Sequence, residues 1–346
     1  MLAKAFSVFG PALGLAAVGG PILGAFILDA NIAGLGWRPM FLINIVLGTA
    51  GFVLAWKVLP RIPRDKAVFL DGIGAGLLAA AMFCLIYALI YGPANGWSAL
   101  PVTLAIAGVA FLAGFAWRQQ RAANPLIKPS LFQNRGFTAG LVMALAIFSV
   151  VAGLSMVISL FLQQGLDRTP VQTAVQAFVP MSVGIIISSI VAAPLIQRLG
   201  RRLVLAGLLI SLVGEVALWA LVREHGRALS HWTLAPALLV LGLGMGTCFG
   251  ALFDIAVGDI APDEAGSASG SLSAVQQLAG SIGVAVILSV WFHNSTQNAP
   301  SATETCLLIV AAVTAGCCFL VALLPRTAQP EHAEPRNTNV ALEEHA

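Results

Sequence analysis

Long apolar runs separated by short polar stretches organise this chain. Ten runs stand out, at about residues 6–28, 39–58, 69–91, 99–117, 137–162, 173–196, 203–222, 233–257, 270–292 and 305–324. A helix needs about 20 mostly apolar residues to cross a hydrocarbon core, and each run is close to or above that length. In lipid only helices and closed barrels satisfy every backbone group, and continuous runs without period-two alternation exclude the barrel. The pattern predicts an all-α integral membrane protein, a bundle of about ten transmembrane helices.

Composition agrees: 58% of residues are hydrophobic, 10% are charged, and the mean hydropathy is +0.91. The lipid bilayer is thus the expected partner. A net charge of +3 on scattered basic residues offers no footprint for a nucleic acid. Lys and Arg favour the cytoplasmic side of short loops. One alternate set of loops holds Lys4, Lys57, Arg61, Arg64, Lys66, Arg118, Arg121, Lys128, Arg135, Arg198, Arg201, Arg202, Arg326 and Arg336. The other holds only Arg38, Arg168, Arg223 and Arg227, a split of 14 to 4 that accounts for all 18. A missed or invented helix would scramble that split, so it supports ten segments with both termini cytoplasmic. Lys4 before an apolar run is also how an export signal begins, but this run is too long and ends at Asp29 rather than at a small-residue cleavage site.

The first run carries an unusual load of helix-breakers. Gly10 and Gly14 lie four apart, as do Ala16, Gly20 and Gly24, a spacing that places small residues on one helix face. Pro21 removes a backbone donor and bends the helix. Ordinary small-residue packing explains this segment taken alone. The stretch Ala16 to Ala25, "AAVGGPILGA", nevertheless resembles the antiporter motif of major facilitator superfamily drug exporters, G-x-x-x-G-P-x-x-G-G. Gly20, Pro21 and Gly24 match it, and Ala16 and Ala25 replace glycines. The following "GWRPMFLINIVLG", residues 36–48, looks like the start of the sixth helix in the 14-helix multidrug/proton antiporters of that superfamily.

Two further stretches extend the resemblance. "APLIQRLGRRLVL", residues 193–205, is similar to the superfamily's cytoplasmic-loop motif, with Arg198, Gly200, Arg201 and Arg202 matching and Gln197 standing where an acid is expected. "LFDIAVGDIAPDEAGSASGSLSAVQQLAGSIGVAV", residues 252–286, looks most like this one subfamily. The resemblance begins at the family's fifth helix. It implies two helices of an N-terminal half in 1–60, a two-helix central insert in 61–118, a six-helix C-terminal half in 119–326 and a tail in 327–346 that reads as disordered. It further implies a plasma-membrane exporter that rocks two halves around a midplane site and exchanges protons for an amphiphilic small molecule. The proton gradient would supply the energy, with no cofactor. With four helices absent, the competing expectation is a transport-inactive fragment that needs another chain or the missing helices, and self-association would be one route to completion.

Ionisable groups at membrane depth are sparse. All five histidines fall in loops or the tail, which argues against a histidine relay. Glu215 and Asp254 are the acidic candidates, with Asp29 and Asp71 close to the interface, and an acid at mid-membrane costs about 2.5–3.5 kcal/mol on insertion scales, so Glu215 and Asp254 are each a candidate proton or substrate site. Asp254 is also consistent with a structural role, lying about a turn from its helix end. Gln276 and Gln277 are further candidates; being consecutive, they point in different directions, and packing glue explains them equally well. Glycines in "GLGMGTCFG", residues 242–250, are superficially like a dinucleotide loop, but no strand precedes them and a close-packing face is expected. The five cysteines show no metal spacing. No cluster of nucleophile, base or metal ligands shares one depth, so the chain reads as a non-enzyme.

Overall fold

A computed structural model describes residues 20, 22–58, 71–94, 96–122, 125–230, 232–258, 260–261, 264–294 and 298–325. Among these, nine helices are long and apolar enough to cross a membrane. They are α1 (Pro39–Val58), α2 (Gly72–Pro93), α3 (Ala99–Gln119), α4 (Arg135–Gly165), α5 (Pro170–Leu195), α6 (Arg201–Ala228), α7 (Ala235–Ala256), α8 (Ala265–Asn294) and α9 (Ala299–Leu323). Residues 22–30, at the end of the first apolar run, are also helical. Apart from Gly20 the rest of that run, including Pro21, lies outside the described residues, as do the tail and the polar link 59–70.

Two boundaries differ clearly from the apolar pattern. The tenth run was expected to start at 305, yet α9 begins at Ala299, because a proline near its start needs no amide partner there and Thr303 returns its hydroxyl to the Ala299 carbonyl. Helix α8 likewise starts at Ala265 rather than 270: the serine hydroxyls of Ser271 and Ser273 bond carbonyls four residues back, hiding polarity inside a helix that hydropathy alone ends too soon.

Helices α4 to α9 pack on one another. The α7 helix runs between α5 and α6, α8 lies along α4, and α9 contacts α4 and α6. One buried cluster joins Leu154, Val157, Phe161, Leu241, Trp291 and Val310. Another joins Met143, Val204, Leu252, Ile255, Cys317 and Leu324 towards the opposite end of the same helices. Lipid tails are as apolar as these side chains, so association rests on close van der Waals contact rather than on the hydrophobic effect. The α7 glycines supply it. A Cβ on Gly242 or Gly246 would collide with backbone of α5 at Met181 or Ile185, and one on Gly244 with Ser211 of α6. Residues 242–246 are therefore a two-sided packing face, not a nucleotide loop. Polar bonds follow the contact: Ser189 of α5 donates to the Gly246 carbonyl (3.4 Å), and the Cys248 thiol to the Val204 carbonyl (3.3 Å). Across the α4/α8 seam Ser149 donates to the Ala279 carbonyl (2.9 Å).

Helices α2 and α3 form a hairpin, and α2 leans on α8. The hairpin closes at Asp71, whose Oδ1 accepts the Gly74 amide (3.0 Å) and caps α2, while Arg118 at the end of α3 reaches the same carboxylate at 3.0 Å. The segment leading into α4 is fastened to the start of α8 by Lys128 and Ser130, which meet Glu264 at 3.6 and 2.6 Å. Helix α1 is different: none of its residues is buried, and Phe41, Phe52 and Trp56 are exposed.

Two outcomes follow from these contacts. Gly242→Ala forces a Cβ against the Met181 carbonyl and is expected to lower stability by about 1–3 kcal/mol, whereas Gly270→Ala, which meets open space on α8, is expected to be neutral or to gain up to about 1 kcal/mol. Thermal unfolding in detergent compares them, and equal losses would refute the packing argument. The Arg118 guanidinium, helped by the Gly74 amide, holds Asp71 below its ordinary value of 3.8. The stability it contributes is complete above that ordinary value and disappears as pH falls through the lowered one. Unfolding midpoints recorded from about pH 6 down to about pH 3 should fall less steeply in Asp71→Asn than in the parent chain.

Candidate functional site

The described residues place the four intramembrane candidates on three helices: Glu215 on α6, Asp254 on α7, and Gln276 and Gln277 on α8. They do not form one site. Glu215 sits mid-α6, completely buried at 0% exposure. Thr314 of α9 donates to its Oε1 at 2.9 Å, and its Oε2 meets no hydrogen-bond partner among the described residues. Beside it lies a small cavity bounded by Ile147, Val150 and Val151 of α4, Leu208 and Ser211 of α6, Met245 and Cys248 of α7, and Thr314 and Cys317 of α9. Asp254, Gln276 and Gln277 are not among these residues.

Asp254 is half-buried in the last turn of α7, and its carbonyl accepts the Gly258 amide (2.7 Å). Immediately before it an aromatic group fills the α4/α7 seam. Phe148 of α4 stacks on Phe249 of α7 with ring centroids 5.5 Å apart and planes 1° from parallel, and Phe253 meets Phe148 edge-on at 6.4 Å. All three rings are half-buried. Aromatic faces accept apolar rings and positive charge, and Asp254 follows Phe253 in the chain. On α8, Gln276 is half-buried and Gln277 exposed, so the two amides do point to different surroundings.

The loop-motif residues divide by role. Gly200 adopts φ +47°, a conformation a side chain would strain, and so ends one helix and starts α6. Arg201 donates through Nη1 to the Ala322 and Leu324 carbonyls (3.3 and 3.1 Å), joining the start of α6 to the end of α9, where a cation suits the exposed carbonyls. Arg198 and Arg202 are exposed. In the first motif, Gly24 admits Met40 of α1 so closely that a Cβ would stand 2.9 Å from its Cε, while Gly20 faces open space among the described residues.

Sequence reasoning missed Thr314 and the three phenylalanines. Thr314 lies 99 positions from Glu215, and the phenylalanines belong to apolar runs where aromatic rings are routine, so no local signal could single them out. Among the described residues no group of three His, Cys, Asp or Glu is placed to hold a metal ion.

Comparison with known proteins adds to this geometry. The model of the Major Facilitator Superfamily matches residues 1–284. The chain is 38% identical over 295 residues to a probable actinorhodin transporter of Streptomyces coelicolor, an alignment covering 84% of this chain and 51% of that protein. It is 32% identical over 303 residues to a multidrug resistance protein B homolog of Mycobacterium tuberculosis (85% and 54% covered). To a tetracenomycin C resistance and export protein of Streptomyces glaucescens it is 31% identical over 292 residues (83% and 52%). The chain spans about half the length of the curated relatives it matches. With helices of membrane-crossing length and a family match that extends from the first apolar run into α8, this chain belongs to the Major Facilitator Superfamily.

Proposed function

We propose that this chain serves proton-coupled efflux of amphiphilic small molecules across the plasma membrane, as the 14-helix drug/proton antiporter resemblance implies. The observation that carries the reading is the similarity, over more than four fifths of the chain, to proteins named for antibiotic transport and multidrug resistance. The α4/α7 seam supplies the chemistry. Phe148, Phe249 and Phe253 offer apolar faces to a ring-bearing substrate, and Asp254 supplies a carboxyl for which a proton and a cationic substrate group compete. Gln276 offers an amide from α8. This export chemistry does not call on Glu215, which lines the neighbouring cavity with Thr314. Both termini face the cytoplasm, where the arginine-rich turn around Gly200 lies, and α4–α9 act as the C-terminal six-helix half. Alternating access then moves this half as a body, with Arg201 holding α6 and α9 together on the cytoplasmic side.

A second reading is favoured by α1. A helix that buries none of its residues and displays Phe41, Phe52 and Trp56 fits a chain that transports only alongside further helices, supplied by another polypeptide or a second copy.

Dye efflux from energised cells separates the two. If the 346-residue chain alone exports dye, and Asp254→Asn lowers the rate at least tenfold while Phe249→Ala raises the substrate concentration for half-maximal rate, the first reading stands. Export only when helices resembling the family's first four precede the chain supports the second. Unaltered efflux in Asp254→Asn would remove this acid from the mechanism.

A further inference from the structure

The cavity between α4, α6, α7 and α9 contains a carboxyl that the export chemistry proposed for Asp254 does not use. Glu215 is 0% exposed, Oε1 accepts from Thr314 at 2.9 Å, and Oε2 lacks a partner among the described residues. The groups facing it are apolar or neutral on every side: Ile147, Val150 and Val151 from α4, Ser211 from its own helix, and the thiols of Cys248 on α7 and of Cys317 on α9. Cys318 lies nearby on α9. Among the described residues no Lys, Arg or His lines the cavity. A carboxylate removed from water without a cation or a full set of donors is far more costly than the neutral acid, which needs only one donor and one acceptor.

We infer that Glu215 and Thr314 form a proton-holding site inside the α4–α9 unit, in which Oε1 accepts the Thr314 hydroxyl and Oε2 carries the proton. The adjoining cavity offers about 20 Å³ to the centre of a water molecule, above the roughly 10–15 Å³ that one water requires, so an acceptor for the acidic O–H fits there. Release gives a carboxylate and a free proton, with no other bond changed. The carboxylate then faces Ile147, Val150 and Met245, so losing the proton and parting α6 from α9 to admit water are linked events. A hydroxyl from a distant helix fits this account, because Thr314 can donate to either form and keeps the carboxyl oriented as the proton comes and goes. The site does not depend on export: a chain that transports nothing would still hold this proton.

Infrared spectroscopy of the purified full chain in lipid at neutral pH tests it. A protonated carboxyl has a carbonyl stretch well separated from that of a carboxylate. The expected spectrum contains such a band, which is lost in Glu215→Gln and moves to higher frequency in Thr314→Val, where the carbonyl loses its donor. Thr314→Val leaves the acid in place, so it decides the matter even if Glu215→Gln fails to fold. A spectrum without a protonated-carboxyl band, or with one that neither substitution alters, overturns the inference. Dye efflux plays no part in this readout, so failure here and failure of the export reading are distinguishable.

Discussion

Backbone-to-backbone approach between helices is the constraint on which the rest of this structure depends. In lipid the apolar surfaces of α5, α6 and α7 gain little by leaving their surroundings, so the helices stay together only where many atoms meet at short range. Gly242, Gly244 and Gly246 let α7 fit between two neighbours at once, with Gly184, Gly207 and Gly214 receding on the opposite faces. Once the backbones are this close, Ser189 and Cys248 reach carbonyls of the adjacent helices, and α4 and α9 close over the remaining side.

That close packing also determines where polar chemistry survives. Deep in the unit, among the described residues, Glu215 has a single hydroxyl donor and largely apolar walls. At the end of α7, half-buried, Asp254 follows a group of phenylalanines. Two carboxyls thus occupy different surroundings: Glu215 is fully buried with Thr314 as its donor, and Asp254 is half-buried near the end of α7.

At the cytoplasmic end proposed for the bundle, charge replaces packing as the connector. Arg201 ties α6 to the end of α9, Asp71 and Arg118 close the α2/α3 hairpin, and Glu264 receives Lys128 and Ser130 where the chain enters α4. The exposed partners of these ties, such as Lys128, are screened by solvent, so each tie is individually modest. Together they fix the helix ends while α1, with every residue unburied, is left outside the packed unit.

By itself, the order of apolar and polar residues determined the all-helical membrane class and nearly every described helix position, because the hydrocarbon thickness and the need to satisfy the backbone act on local composition, while the family was legible in the resemblance of short motifs. It also identified Gly200 and the residues 242–250 as structural signals, since glycine spacing is local too. Helix ends at Ala265 and Ala299 were less legible, because serine and threonine hydroxyls bonded within a helix count as polar in the sequence but not in the fold. Only the tertiary structure decided that Glu215 meets Thr314, that Phe148 stacks on Phe249, and that Asp254 and Glu215 are separate. Those pairings join helices distant along the chain, and their geometry comes from how closely glycine faces allow the backbones to approach, which no single segment encodes.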